Sequence, residues 1–186
     1  MSQPPRFVPP HLLPNFEKRV PEGDSLERLV CRDCGHVHYM NPKIIVGSVI
    51  SHQGRILLCR RAIEPRRGFW TIPAGFMEER ETAEAGARRE AMEEAGAAIA
   101  IDAMLAVYSI ARISQVQIIY RATLMDTAFA PGIESLETVL FAYDEIPWGA
   151  LAFPSVQWAL TQWRQVEGCA IFAPFASPLA GAGAEI

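Results

Sequence analysis

From Pro42 onward the apolar positions fall into short β-type runs, interrupted by longer-period stretches of helical type. Lys43-Ile44-Ile45-Val46-Gly47-Ser48-Val49-Ile50 is dense in β-branched residues and predicts a strand. His52-Gln53-Gly54 supplies a turn, and Arg55 to Arg61 the returning strand of a hairpin. A short apolar stretch surrounds Phe69-Trp70-Thr71-Ile72. Thr82 to Ala95 then predicts a helix: Thr82 can cap its start, Glu84 complements the dipole in the first turn, and Gly96 suits its end. Strands are expected over 98–110, 115–124 and 137–141, and a second amphipathic helix over 156–166. Residues 1–40 show no such pattern. They are rich in proline, arginine and turn formers, with a turn at Pro21-Glu22-Gly23-Asp24. The organisation expected is a loop-rich appendage over 1–40, a main domain over 41–170 and a flexible Ala/Gly-rich tail over 171–186. Strands with interspersed helices predict the α/β class, with the sheet layered against helices.

Composition narrows the functions. Of 186 residues, 50% are hydrophobic and 20% charged, which suits a packed core and not a disordered chain. A net charge of −4 argues against a protein that coats nucleic acid. The longest clean apolar run, near Ile44 to Ile50, is far short of the roughly 20 residues a membrane helix needs. The N-terminus shows no apolar signal core, so the cytoplasm is the expected location. Lys18 and Lys43 are the only lysines, and arginine supplies the remaining positive charge. Arginine grips phosphate in a planar, bidentate way, although genome composition also produces such a bias.

Cys59, in an apolar run, has the surroundings of a small core residue, and Cys169 stands alone. Cys31-Arg32-Asp33-Cys34-Gly35 looks like a zinc knuckle, yet tetrahedral zinc needs four ligands and no second C-x-x-C exists. His36 and His38 stand too close in sequence for an ordinary site. Three readings remain open: a remnant of a zinc site, zinc completed by histidines or a partner chain, and a redox pair lacking the usual βαβ context.

The chemistry concentrates between Gly75 and Ala97, where Glu78, Glu79, Glu81, Glu84, Glu90, Glu93 and Glu94 crowd together. At about 100° per residue, Glu90, Glu93 and Glu94 share one helical face, while Ala85, Ala91, Met92 and Ala95 lie opposite and can face a core. Gly86, one turn before Glu90, weakens the helix but leaves room beside the carboxylates. Like charges at these spacings repel. A solvated acidic face is the plain explanation; a hard divalent cation such as Mg²⁺, held by a few carboxylates and substrate phosphates, is the other.

The surrounding pattern favours the second. Gly75, five residues, Glu81, seven residues, Arg89-Glu90-Ala91, one residue, Glu93-Glu94, one residue, Gly96-Ala97 resembles the Nudix box at every fixed position. Flanking segments, Arg60 to Arg66 leading into Gly68-Phe69-Trp70-Thr71-Ile72-Pro73-Ala74, and later Asp144 to Phe153, are similar to a Nudix subgroup with an N-terminal zinc ribbon. That subgroup is related to plant FAD pyrophosphatases and, more loosely, to NADH pyrophosphatases. Cys31-x-x-Cys34-Gly35 matches the second half of the ribbon. Its first cysteine pair would fall near Pro9 and Leu12, neither a cysteine, a departure from the ribbon's pattern that counts against bound zinc.

This resemblance implies a Nudix α/β/α sandwich with a mixed sheet, and hydrolysis of a nucleoside diphosphate linked to another group. FAD is favoured as substrate, with NADH and ADP-ribose as alternatives. It implies Mg²⁺ or Mn²⁺ bound by Glu90 and Glu94 with the carbonyl of Ala74, assisted by Glu93, and a Glu81–Arg89 pair that orients the glutamates. Glu93 or Glu137 would be the general base. Arg60, Arg61, Arg66 and Arg67 are candidate phosphate clamps, at least two of them being ordinary surface residues. Trp70 could stack on a base or pack in the core, and Gln115 and Gln117 follow a loop where relatives contact substrate. A homodimer is expected, with no membrane or nucleic-acid partner. A non-catalytic Nudix-fold sensor is the alternative of another class, but such proteins usually lose box glutamates that this chain keeps.

Overall fold

A computed structural model describes residues 15–178, which fall in two units, Met1–Asn41 and Pro42–Ile186. In the first unit, β1 (Phe16–Arg19), β2 (Arg28–Cys31) and β3 (Val37–His38) form an antiparallel sheet in chain order. The appendage expected to be loop-rich thus carries a small sheet, whose strands of four, four and two residues are too short for alternation to show. The expected turn is present. Asp24 N–H donates to the Pro21 carbonyl at 3.1 Å, and Gly23 takes a φ of 80°. Asp24 also accepts from Arg28 Nε at 2.9 Å, and that guanidinium lies 5.3 Å from the centre of the Tyr39 ring.

The second unit is a mixed sheet between two helices. The sheet strands are β4 (Lys43–His52), β5 (Arg55–Arg61), β8 (Ile99–Ile110), β9 (Gln115–Leu124), β10 (Ser135–Ala142) and β11 (Phe175–Ala176), in the order β10-β5-β4-β9-β8-β11. Short strands β6 (Trp70–Thr71) and β7 (Ala74–Phe76) pair with β5 and β4. The pairs β4–β9 and β8–β11 are parallel and the rest antiparallel. The β4–β5 hairpin turns on Gln53 and Gly54 with φ of 48° and 75°, the two positive values a two-residue type I′ turn needs.

Helix α1 (Ala83–Ala95) covers one face of the sheet and α2 (Pro154–Gln165) the other. The alternation along β4 divides its side chains accordingly. Val46 and Ile50 pack in the clusters that hold Ala87, Ala91 and Ala95 of α1, and Val49 in the one that holds Val156, Leu160 and Trp163 of α2. The architecture is the expected α/β/α sandwich with a mixed sheet. Gly47 has a structural reason: a Cβ there would lie 2.8 Å from the Pro73 carbonyl oxygen, so only glycine lets the chain before β7 approach so closely.

Thr82 Oγ1 accepts from Ala85 N–H at 3.2 Å, and Gly96 closes α1 in the left-handed conformation, both as expected. The buried arc differs from expectation. It runs from Gly86 through Glu90 and Glu94 to Ala87, Ala91 and Ala95, whereas Met92 is 51% exposed and Ala85 also faces out. The helix is rolled so that its glutamate row turns toward β7. The tail also differs. β11 extends the sheet, Ser177 Oγ accepts from Ser109 N–H at 3.0 Å, and Phe172 lies under the Arg121 guanidinium at 4.7 Å. Residues from 171 are thus tied down as far as Ser177, and 179–186 lie outside the described residues. Among the described residues no helix is long and apolar enough to cross a membrane.

Candidate functional site

A cavity of about 1170 Å³ opens in the second unit. One wall is β7 and the glutamate row of α1; the other is the first turn of α2, with Gln115 and Gln117 of β9 also lining it. Glycine makes the first wall possible. A Cβ on Gly75 would overlap the Glu90 carboxylate, and one on Gly86 would lie 2.7 Å from Glu81 Oε1 and 2.8 Å from Val46 Cγ2.

Arg89 organises this wall. Its Nε and Nη2 donate to the two Glu81 oxygens at 3.1 and 2.8 Å, a bidentate pair. Nη2 also donates to the Phe76 carbonyl at 2.9 Å, and Nη1 donates to Glu90 at 2.7 Å and to Glu93 at 3.0 Å. One guanidinium therefore binds the end of β7 to three glutamates. The Arg89 bonds, with Glu78 N–H at 2.6 Å, hold the Glu81 carboxyl down at about 2. The Glu81–Arg89 pair is as expected.

Glu90 and Glu94 sit otherwise. They are only 8% and 6% exposed. Burial pushes Glu94 up to about 8, against the lowering effect of an Ala74 N–H bond at 3.2 Å, and the Glu90 charge adds to the rise. Burial also raises Glu90, outweighing its bond from Arg89. Two carboxyls one helical turn apart in a dry wall, of which only Glu90 is ion-paired, to Arg89, form a donor set suited to a divalent cation. Among the described residues no three His, Cys, Asp or Glu side chains are already gathered for an ion. In a Mg²⁺-type site one or two carboxylates hold the ion, and substrate and water oxygens complete it.

The other expected residues divide. Arg61, Gln115, Gln117, Ala74 and Glu93 line the cavity. Ala74 meets Glu94 through its N–H. Arg61 Nε donates to the Pro65 carbonyl at 2.9 Å, and its guanidinium lies 5.2 Å from the Phe153 ring centre. Arg60, Arg66, Trp70 and Glu137 are not in the cavity lining, and each has a partner elsewhere. Arg60 donates to the Gly68 carbonyl and pairs with Glu137 at 3.4 Å. Arg66 covers Phe69, and Trp70 meets Phe141 edge-on at 4.9 Å against the α2-side core. Glu134, three residues before Glu137, lines the cavity instead. Sequence reasoning passed over Glu134, Phe153, Ser155 and Trp158: the choice between Glu134 and Glu137 turns on where β10 begins to pair, and the α2 residues have no motif.

In the first unit, Cys31 and Cys34 sit on a tight turn in which Cys31 N–H donates to the His36 carbonyl at 2.9 Å and Gly35 N–H to the Cys31 carbonyl at 3.0 Å. Backbone N–H groups of Cys34 and Asp33 lower the Cys31 thiol. The positions near Pro9 and Leu12 lie outside the described residues.

The family model for the NUDIX domain matches residues 41–158, more than half of the chain. The chain belongs to the NUDIX family. A second model, Nudix N-terminal, of the zinc-ribbon type, matches residues 14–40. A NUDIX hydrolase crystal structure from Nitrosomonas europaea is 47% identical, covering 87% of this chain and 93% of that one with a TM-score of 0.81. An ADP-ribose pyrophosphatase of Methanocaldococcus jannaschii is 37% identical over 71 residues, 38% of this chain and 42% of that protein. A MutT-like protein of Streptomyces ambofaciens is 39% identical over 64 residues, 34% of this chain and 40% of that protein. The matched stretch thus spans less than half the length of these two curated relatives.

Proposed function

We propose that this NUDIX protein hydrolyses the pyrophosphate bond of a nucleoside diphosphate linked to a second moiety, with Mg²⁺ or Mn²⁺, releasing a mononucleotide. The observation that carries the reading is the buried pair Glu90 and Glu94, both carboxyls raised by burial, in the wall of a cavity that Arg61 also lines. A divalent ion held by Glu90 and Glu94 would neutralise the diphosphate and lower the pKa of attacking water. The chain's own residues do the rest. Arg89 fixes the glutamates and leaves Glu81 ionised, Arg61 offers a guanidinium to phosphate oxygens, and the apolar wall excludes water from the reacting centre. Glu134 is our general base. Glu93 is held by Arg89, whereas Glu134 lines the cavity with no ion pair among the described residues.

FAD is the first substrate to test, on the subgroup resemblance; ADP-ribose is the second, on the likeness to the archaeal pyrophosphatase. NADH completes the set. The test is turnover of these compounds and of nucleoside triphosphates with Mg²⁺ and then Mn²⁺, products resolved by chromatography, with Glu94→Gln in parallel. Cleavage to mononucleotides by the wild type and loss in the variant is the expected result. No cleavage with either metal overturns the reading and leaves a ligand-sensing role for the same cavity.

A further inference from the structure

The loop that carries Glu134 is docked on the last turn of α1. Ala130 N–H donates to the Ala95 carbonyl at 3.0 Å, and Gly132 N–H donates to the Glu94 carbonyl at 3.1 Å. These are two of the carbonyls that a helix end leaves without partners inside the helix. The chain then turns at once, with Ser135 N–H donating to the Gly132 carbonyl at 3.1 Å. Ala62 N–H, just past the end of β5, donates to the Glu134 carbonyl at 2.8 Å. The Glu134 backbone is thus held from two sides, by α1 through Gly132 and by the chain that leaves β5. Its side chain lines the cavity with Glu90 and Glu94, and its charge adds to the rise that burial gives both.

Gly132 is what lets the loop come this close. A Cβ there would overlap the Glu93 carbonyl oxygen and lie 2.9 Å from the carbonyl carbon. Both are helix backbone atoms, which cannot swing aside as a side-chain end can. Gly132 does not have a positive φ, so the close approach, and not the turn, is what demands glycine. Pro131 precedes it, and its fixed φ narrows the directions from which the loop can enter. Glu94 therefore serves twice. Its carboxyl belongs to the ion-binding pair, and its carbonyl, by way of Gly132, sets where the Glu134 side chain starts.

We infer that Gly132 is a positioning residue for the general base: its contact with the α1 backbone at Glu93 and Glu94 fixes Glu134 relative to the ion-binding pair. The inference rests on the reading of the cavity as a hydrolase site with Glu134 as its base. A base must stay within hydrogen-bond reach of the water whose proton it takes. To clear the α1 backbone, a methyl at position 132 has to move the loop by roughly 1 Å or more, given ordinary contact distances. A misplacement of about that size costs on the order of 100-fold in rate.

The test is steady-state turnover of the full chain at saturating Mg²⁺, with FAD, ADP-ribose and NADH as substrates and a thermal melt of every variant. The variants are Gly132→Ala, Glu134→Gln, the two combined, and a chain with one extra glycine between Gly132 and Ile133. The insertion keeps the α1 contact and slackens only the link to Glu134; Ile133 is 99% exposed, so the fold tolerates it. Expected in Gly132→Ala and in the inserted chain is a kcat lower by about 10- to 100-fold, with KM and the Mg²⁺ concentration for half activation within about threefold. Glu134→Gln loses about 100-fold, and adding Gly132→Ala to it costs no more than about a further twofold, because the base being positioned is already gone. A loss that multiplies in the combined variant, or one that falls on KM or on Mg²⁺, overturns the inference. So does a kcat within about twofold of wild type in Gly132→Ala or in the inserted chain. If Gly132→Ala shows no cooperative melt, the inserted chain decides by the same criteria. A wild type that cleaves none of the substrates sinks the hydrolase reading and the positioning role with it. A wild type that cleaves one, beside a Gly132→Ala that keeps its kcat, sinks the positioning role alone.

Discussion

Glu94→Gln separates what the carboxyl does for chemistry from what it costs the fold. In the folded metal-free protein burial pushes Glu94 up to about 8, while an unfolded glutamate titrates near its ordinary value of 4.5. Between those pH values the folded state keeps a proton that the unfolded state has released. Stability is therefore full below about 4.5 and drains away as the pH rises to about 8. A displacement of this size, at 1.36 kcal/mol per pH unit, is worth on the order of 3–5 kcal/mol, a large share of a typical domain's stability. Glutamine keeps an oxygen for the Ala74 N–H and has nothing to titrate. Urea unfolding in EDTA at pH 5.5, 7 and 8.5 is the assay. Expected is a wild type that loses stability with pH relative to Glu94→Gln, until the variant is the more stable at pH 8.5. Mg²⁺ at about 100 times its Kd then restores roughly 2.7 kcal/mol to the wild type and much less to the variant. Parallel pH profiles, or a wild type that gains on the variant as pH rises, would refute a Glu94 carboxyl raised by burial.

Four further variants probe the cavity and its surroundings. Gly75→Ala puts a methyl where the Glu90 carboxylate lies; the side-chain end swings away, so turnover falls at least about tenfold while the melting temperature shifts by only a few degrees. Arg89→Lys substitutes one ammonium for a guanidinium that reaches Glu81, Glu90, Glu93 and the Phe76 carbonyl, and loses roughly 10- to 100-fold in turnover or metal affinity, read from Mg²⁺ titrations of the rate. Glu134→Gln lowers kcat by about 100-fold at saturating substrate, and Glu137→Gln leaves it within about twofold; the opposite ranking returns the base role to Glu137.

Local order along the chain accounts for most of what was legible beforehand. The β-branched run at Lys43, the Gln53-Gly54 turn, the Thr82 and Gly96 caps and the box spacing each act within a few residues, so they are written in neighbouring letters. So is the Glu81–Arg89 pair, which one loop and two helical turns bring together. Other features depend on distant partners. The sequence could place Glu90 and Glu94 on one face of α1, but not that this face turns inward against β7 and loses its water, which is what raises both carboxyls. Two-residue β11 exists because Ala106 and Val107 offer it an edge, not because its own letters ask for a strand. Arg61 lines the cavity while adjacent Arg60 turns to Glu137, since neighbours on a strand point to opposite sides. Ser155 and Glu134 carried no motif; the start of α2 and the loop before β10 brought them to the cavity. Sequence settled the elements and the acidic helix because capping, turn and periodicity energies are local. Burial, and with it the charge state of the glutamates and the far end of the cavity, is decided by residues that meet only when the sheet is assembled.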